Sequence, residues 1–172
     1  MKFLVLSDNH GHWSLVHEII THFRKDVDYI FHCGDSEFTA DDPIWEKVDA
    51  VVTGNMDFDP LFRKQQIIET SLGNVMLVHG HLHGVNSGNQ TLLEEAKHNQ
   101  YHFVFHGHTH VLYSDYREGI LIANPGSLHR SRGDYPDPTC MIITTTLQGI
   151  NVDYFNQNCQ KINQLSVTYN TL

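Results

Sequence analysis

Residues 101–110 read YHFVFHGHTH, and this stretch joins a run of apolar residues to a cluster of histidines. The run YHFVF has the length and the aromatic and β-branched content of a buried strand. His108 and His110 follow it two positions apart, and residues i and i+2 of an extended segment point to the same side, with Thr109 pointing away. The stretch therefore predicts a strand whose carboxyl end carries two imidazoles.

The same pattern recurs earlier in the chain, where polar side chains follow the apolar runs of 2–7, 28–33, 49–54 and 75–78. The positions concerned, with the two histidines above, are Asp8, His10, Asp35, Asn55, His79, His108 and His110. Each lies in or beside a loop that contains a glycine, which permits tight turns and close approach of the backbone. Because the carboxyl ends of strands gather at one edge of an open α/β sheet, we expect these seven side chains to converge.

The order of the predicted elements indicates a mixed α/β fold. Helical spacing of apolar residues predicts helices over 13–23 and 91–99, and the short apolar runs beside the first of them favour parallel strands buried on both faces. Three β-hairpins are then predicted over 65–80, 111–127 and 139–155, with turns at Gly73, near Gly119 and at Gly149. We expect one domain, residues 1–172, in which two packed sheets have helices outside, and an edge strand for the ambiguous tail 160–172.

The composition excludes several classes of function. The chain has 172 residues, 40% of them apolar, and its net charge is −9, which disfavours stable binding to nucleic acid or to an anionic membrane surface. No run approaches the roughly 20 apolar residues that cross a bilayer. The three cysteines form no C-x-x-C pair, which fits a reducing compartment, so a cytoplasmic location is expected.

The seven converging side chains have the chemistry of metal ligands. Carboxylate, amide and imidazole donors without thiolates suit Mn²⁺, Zn²⁺, Fe or Ni²⁺. Seven ligands exceed what one ion needs, but they supply two sets of four if one carboxylate bridges. Two cations roughly 3.5–4 Å apart can hold a phosphate between them, and bound water on such a centre ionises near pH ~7.

The ordered blocks SDNHG, HCGDS, TGNMD, VHGH, GHTH and NPGS resemble the calcineurin-like metallophosphoesterase superfamily. The resemblance covers about residues 2–146 and is strongest to the small YfcE-type phosphodiesterases of bacteria and archaea. It implies a four-layer αββα sandwich of two mixed sheets flanked by helices. It also implies two divalent metal ions, Mn²⁺ first and Zn²⁺, Fe²⁺ or Ni²⁺ as alternatives, and hydrolysis of small phosphodiesters by a metal-bridging hydroxide.

The resemblance also assigns roles to the seven residues. By position, the first ion takes Asp8, His10, Asp35 and His110, and the second takes Asp35, Asn55, His79 and His108. Asp35 would bridge the ions, and Asn55 would also lie near the scissile phosphate.

Met56 departs from the superfamily pattern, since many members have a histidine here that protonates the leaving group. Water, His12 or His81 is left for that catalytic role. Asp57 is expected to orient its neighbours in the turn GNMD, residues 54–57.

Several alternatives stay open on the sequence. Arg130 and Arg132 could clamp a phosphate, although a solvated loop is the interpretation we favour. The same centre could serve a phosphomonoesterase or a nucleotide pyrophosphatase. The fold also serves as a non-catalytic scaffold in retromer, where the residues at the metal-ligand positions are partly replaced. A plain metal-binding protein is a further alternative. Members often form dimers or tetramers, and no feature of this sequence decides whether this chain does.

Overall fold

A computed structural model describes residues 1–171, which form eleven strands and two α-helices. The strands are β1 (Lys2–Leu6), β2 (Tyr29–His32), β3 (Ala50–Val51), β4 (Gln65–Ile68), β5 (Asn74–Val78), β6 (Tyr101–Phe105), β7 (Tyr113–Arg117), β8 (Ile120–Asn124), β9 (Thr139–Thr145), β10 (Gly149–Asn156) and β11 (Val167–Asn170). The helices are α1 (Trp13–Phe23) and α2 (Gln90–Asn99), and short 3₁₀ helices cover Pro43–Lys47, Val85–Ser87 and Asn163–Leu165.

The strands form two mixed sheets. The first has the order β11-β10-β9-β1-β2-β3, in which β1, β2 and β3 are parallel and the other pairs are antiparallel. The second has the order β4-β5-β6-β8-β7, in which β5, β6 and β8 are parallel. The parallel strands bring the ends of β1, β2 and β3 to one edge, and those of β5 and β6 to another.

Three apolar clusters separate four layers. Phe3 and Val5 of β1 point into the cluster between the sheets, while Leu4 and Leu6 point into the cluster under α1. This alternation follows from the two-residue period of a strand. A third cluster packs α2, through Leu92, Leu93 and Ala96, on the outer face of the second sheet. The predicted four-layer αββα sandwich is confirmed.

The predicted hairpins are all present, as the antiparallel pairs β4–β5, β7–β8 and β9–β10. β11 is the predicted edge strand of the tail, whose last residue, 172, lies outside the described range. The strand predicted over 49–54 is shorter than expected. The Val52 N–H still donates to the carbonyl oxygen of His32 in β2, but Val52 also bridges to Arg63, and the Thr53 N–H donates to the carbonyl oxygen of Arg63. Among residues 1–171, neither helix has the length and apolarity needed to cross a bilayer.

Candidate metal centre

The seven predicted ligands follow five strands, three in the first sheet and two in the second. Contacts between these side chains cross from one sheet to the other. His110 Nε2 lies 3.1 Å from Asp8 Oδ1, and His79 Nε2 lies 3.4 Å from Asp35 Oδ2. His10 Nε2 lies 4.0 Å from the same Asp35 oxygen. The structure therefore brings ligand candidates that are far apart in sequence to one place between the sheets.

Three of the histidines share one arrangement. The Nδ1 atom of His10 lies 2.8 Å from Glu37 Oε1, and that of His79 lies 2.7 Å from the carbonyl oxygen of Cys33. His110 Nδ1 lies 2.9 Å from the carbonyl oxygen of Arg130. Each oxygen accepts a hydrogen bond from Nδ1–H, which leaves Nε2 with its lone pair turned toward the two aspartates. Metal-binding histidines are oriented in this way by hydrogen bonds from their second nitrogen.

Asp8 provides the second sign of a metal site. The residue is fully buried, and its Oδ2 accepts hydrogen bonds from Ser7 Oγ and from the backbone N–H of His108. Its Oδ1 is buried without a hydrogen-bond partner among residues 1–171. A buried carboxylate oxygen without a partner is costly, and a cation beside it would remove that cost. The donor set and this unpartnered oxygen fit divalent ions.

The ligand atoms form two groups within which all distances are below 4.8 Å. One group is Asp8, His10 and His110, and the other is Asp8, Asp35 and His79. Asp8 is common to both groups, whereas the family resemblance assigns the bridge to Asp35. Asp35 Oδ2 also faces histidines of both groups, so the bridging role of Asp35 stays a prediction, with Asp8 as a second carboxylate between the two groups.

Asn55 and His108 lie beside these groups. Asn55 Oδ1 is 3.2 Å from His79 Nε2, which places the amide next to the second group. The His108 ring lies 5.1 Å from the His79 ring, and its Nε2 is 3.2 Å from the amide nitrogen of Asn86. His108 thus contacts a neighbour outside the carboxylate cluster, and its role as a ligand stays a prediction.

Five of the seven candidates have a left-handed backbone. The φ angles are 54° at Asp8, 43° at His10, 54° at Asp35, 69° at His108 and 58° at His110. Residues with a side chain rarely adopt this conformation, which costs on the order of 1–3 kcal/mol for each residue. Such strain concentrates at functional sites, where the surrounding structure holds it for the sake of side-chain placement.

The loops that carry the ligands are held by Asp57, as the sequence predicted. Its Oδ2 accepts hydrogen bonds from the backbone N–H groups of Asp35, at 2.7 Å, and Gly54, at 2.8 Å. Its Oδ1 accepts from the backbone N–H of Glu37, also at 2.7 Å. One carboxylate therefore joins the loop after β2 to the loop after β3, which fixes Asp35 relative to Asn55.

The charges of the centre favour a cation. Burial raises the pKa of Asp8, but the facing imidazoles of His110 and His79 favour the ionised carboxylate, and the pKa lies below its usual value. Burial lowers the pKa of His79, but the facing carboxylates of Asp35 and Asp8 outweigh this effect, and the pKa is raised. Ionised carboxylates thus face imidazoles in a buried place, where electrostatic interactions are strong.

A cavity of about 440 Å³ opens over the centre. Asn55, Met56 and the candidate ligands His10, Asp35, His108 and His110 line it. His12 and His81, the other two catalytic candidates, are not among the residues that line it. His12 Nε2 is 3.2 Å from Nδ1 of His129, which does line the cavity, and the His81 ring is 5.3 Å from that of His79.

Three further residues belong to the wall of this cavity. Glu37 was not predicted from the sequence, and Arg130 and Arg132 were expected in a solvated loop. Arg130 and Arg132 are exposed, and both line the cavity, so their guanidinium groups can reach a bound anion. Glu37 was missed because nothing in the sequence marks it. A left-handed backbone, with φ of 60°, turns Glu37 toward the centre, where it meets His10.

The fold and the centre agree with the family to which the chain belongs. Residues 1–148 match the calcineurin-like phosphoesterase superfamily domain, and the chain is a member of that superfamily. It is 32% identical over 168 residues to a probable metallophosphoesterase, YsnB, of Bacillus subtilis strain 168, with 96% of each chain covered.

Two solved structures illustrate the likeness. A conserved protein of Streptococcus pneumoniae TIGR4, described as a predicted phosphoesterase, superposes with a TM-score of 0.94 at 30% identity, covering 98% of this chain and 97% of that one. The phosphoesterase YfcE of E. coli has a TM-score of 0.67 at 19% identity, covering 99% and 100% of the two chains, and at that identity it shows the fold alone.

Proposed function

We propose that the chain is a metal-dependent phosphodiesterase that acts on small phosphodiesters with two divalent ions, Mn²⁺ first among them. The observation that carries the proposal is the shared arrangement of His10, His79 and His110. Each has Nδ1 anchored on an oxygen and Nε2 turned toward Asp8 and Asp35. The unpartnered Asp8 oxygen supports the same interpretation.

Different side chains would bind the ions, contact the phosphoryl group and orient the phosphate. Two groups, joined by Asp8 and Asp35, would hold the ions, and Asn55 stands beside the second group, where its amide can meet a phosphoryl oxygen. When bound, the ions supply Lewis acidity and an activated water as nucleophile. Arg130 and Arg132, on the cavity wall, would orient the phosphate by charge and hydrogen bonds.

Met56 lines the cavity, and its thioether cannot donate a proton to the leaving group. His129, which lines the cavity, pairs with His12, and the His81 ring lies beside the rings of His79 and His108. We propose His12, acting through His129, or His81 as the donor, with water as the third route. Because the cavity is about 440 Å³, a small diester fits it better than a long polymer.

The test compares hydrolysis of bis-p-nitrophenyl phosphate and p-nitrophenyl phosphate with added Mn²⁺. We expect the diester to be hydrolysed faster, and Asp35→Asn and His110→Ala to lower kcat/KM on the order of 100-fold or more. Asp41→Asn and His98→Ala, at exposed positions, are the matched controls and should keep wild-type activity.

Each other outcome points to one alternative. Faster hydrolysis of the monoester would identify a phosphomonoesterase on the same centre. Metal uptake without turnover of either ester would leave a metal-binding protein or a scaffold. Unchanged turnover in both Asp35→Asn and His110→Ala would remove the assigned centre altogether.

A further inference from the structure

The loop that follows the block NPGS, residues 128–132, is anchored at its start beside a candidate metal ligand. Ser127 is buried, and its Oγ donates a hydrogen bond to the carbonyl oxygen of Asp8 at 2.8 Å. The same Oγ accepts hydrogen bonds from the backbone N–H groups of His129 and Arg130, both at 3.0 Å. One buried hydroxyl therefore ties the beginning of the loop to the metal centre.

His110 holds the far end of the same loop. Its Nδ1–H donates to the carbonyl oxygen of Arg130 at 2.9 Å, and its own carbonyl oxygen accepts from the backbone N–H of Arg132 at 3.0 Å. These contacts use main-chain atoms of the loop, so they fix where the two arginine side chains begin and occupy neither guanidinium group. Arg130 and Arg132 are thus held against the first group of candidate ligands.

Both guanidinium groups are free of ion pairs within residues 1–171. Arg24, for comparison, is paired with a carboxylate, whereas Arg130 and Arg132 are not. Both arginines line the cavity over the metal centre. The charge of Arg132 also reaches the centre, since burial and the facing imidazole of His79 lower the pKa of His108 and Arg132 adds to this effect. Guanidinium groups in such a place can bind phosphate oxygens in a bidentate manner.

The charge of the centre leaves these two cations available for a second anion. In the proposed function, two divalent ions balance Asp8, Asp35 and the single negative charge of a diester. Glu37, the acidic residue of the wall outside the ligand set, is hydrogen-bonded to His10. The two arginines therefore add positive charge beyond what the scissile phosphate needs, and two guanidinium groups match the charge of a terminal phosphate. A cavity of about 440 Å³ has room for a substrate of nucleotide size.

We propose that Arg130 and Arg132 bind a terminal phosphate of the substrate, so that the preferred substrates are phosphodiesters in which one alcohol carries a second, monoester phosphate. This inference rests on the proposed phosphodiesterase function and names the class of diester on which it acts. The loop supplies the site, and the metal centre supplies the scissile end.

The test compares thymidine 5′-(p-nitrophenyl phosphate) with the same diester phosphorylated at its 3′ hydroxyl group. The two compounds have the same bonds at the scissile phosphorus and differ only in the terminal phosphate. Chromatography records cleavage on either side of that phosphorus by the Mn²⁺-loaded protein. We expect KM to be about tenfold lower for the 3′-phosphorylated diester, with kcat within about twofold.

Arg130→Gln and Arg132→Gln keep the main-chain contacts of the loop and remove the guanidinium groups. In the double variant the ratio of kcat/KM for the two diesters should fall about tenfold, toward one, and each single variant should lower it in part. A ratio measured within one protein is unaffected by a change at the scissile phosphate that both diesters share. Arg63→Gln, at an exposed position outside the cavity, is the matched control and should keep the wild-type ratio.

Binding to the metal-free protein gives a second readout that needs no turnover. Thymidine 3′-monophosphate should give saturable amide shifts at residues 129–132 of ¹⁵N-labelled protein, whereas thymidine should give none, and the double arginine variant should lose them. Absence of these shifts would overturn the inference. So would equal kcat/KM for the two diesters in the wild type, or a preference that persists in the double variant, and both results would leave the phosphodiesterase proposal intact. Shifts that depend on the two arginines, without hydrolysis of either diester, would support the anion site and refute the phosphodiesterase proposal.

Discussion

Gly54 and Gly107 leave room for the two carboxylates of the centre. A Cβ atom added at Gly54 would lie 2.0 Å from Asp35 Oδ1 and 2.5 Å from the Asp35 backbone nitrogen. One added at Gly107 would lie 1.9 Å from Ser7 Oγ and 2.4 Å from Asp8 Oδ2. Neither glycine has a left-handed φ, so close approach, rather than backbone conformation, is what excludes a side chain at both positions.

Gly54→Ala should therefore displace Asp35 and damage the centre. The backbone nitrogen cannot move as a flexible side chain could, so we expect a loss of stability of about 1–3 kcal/mol, as in overpacked cores. Thermal unfolding with and without Mn²⁺ measures both effects, and the variant should lose most of the stabilisation that the ion gives to the wild type.

Gly133→Ala is the control for this substitution. A Cβ atom there would lie 3.1 Å from the end of the half-exposed Val111 side chain, which can yield. We expect a small effect on the melting temperature and a normal response to Mn²⁺. A Gly54→Ala protein that melts like the wild type and is stabilised equally by Mn²⁺ would contradict this role for the glycine.

The elements that the sequence predicted well are those with a local signal. The apolar runs before Asp8, Asp35 and His79 are strands because they are buried on both faces, and the position of each ligand follows directly from the end of its strand. The contacts that the sequence could not predict join distant parts of the chain. Glu37 meets His10 through a left-handed turn, and the carbonyl of Arg130 anchors His110 from a loop without regular structure.

The tail, residues 160–172, also shows that contacts between distant parts of the chain are hard to predict from the sequence. β11 is mostly exposed and has no apolar period, so an edge strand is expected within 160–172 but its bounds cannot be predicted. Its register is set by pairing with β10, from Gly149 opposite Asn170 to Val152 opposite Val167. The backbone at Gly149 passes so near to the strand that an added Cβ would lie 2.0 Å from the carbonyl oxygen of Tyr169. The edge position therefore depends on main-chain contacts that composition does not reveal.

Truncation after residue 165 should expose the edge of β10 while sparing the metal centre. β11 lies three strands from β1 and buries little side-chain surface, so we expect a modest loss of stability and increased self-association through the free edge. Light scattering measures the association, and Mn²⁺-induced stabilisation reports on the centre.

Tyr169→Phe keeps the strand and loses the hydroxyl contact with Ser114, so it should stay as monodisperse as the wild type. A truncated chain that scatters no more than the full chain would show that β11 does not protect this edge.

At the scale of the whole molecule, the fourteen histidines serve more than one purpose. Those of the metal centre keep one nitrogen free, whereas His32 is fully buried and uses both. Its Nε2–H donates to Asn9 Oδ1 at 2.8 Å, and its Nδ1 accepts from the backbone N–H of Gly34 at 3.1 Å. Burial lowers the pKa of His32 to about 4, although nearby carboxylates such as Asp57 oppose the shift. The ring is therefore a neutral structural group beneath the charged centre.

This low pKa makes the stability of the fold depend on pH in a definite direction. His32 takes up a proton near pH 6.5 in the unfolded chain but only near pH 4 in the folded one, so the unfolded state binds more protons between those values. The contribution of His32 is complete above about pH 6.5 and is lost as the pH falls toward 4. Between pH 7.5 and pH 5 the loss is about 2 kcal/mol.

His32→Gln cannot titrate, so its free energy of unfolding, although lower at pH 7.5, should fall less steeply with acid in urea titrations of metal-free protein. His22→Gln, at an exposed position of α1, should keep the wild-type slope. If His32→Gln shows the wild-type slope too, the acid sensitivity belongs to other groups and the neutral ring is not its source.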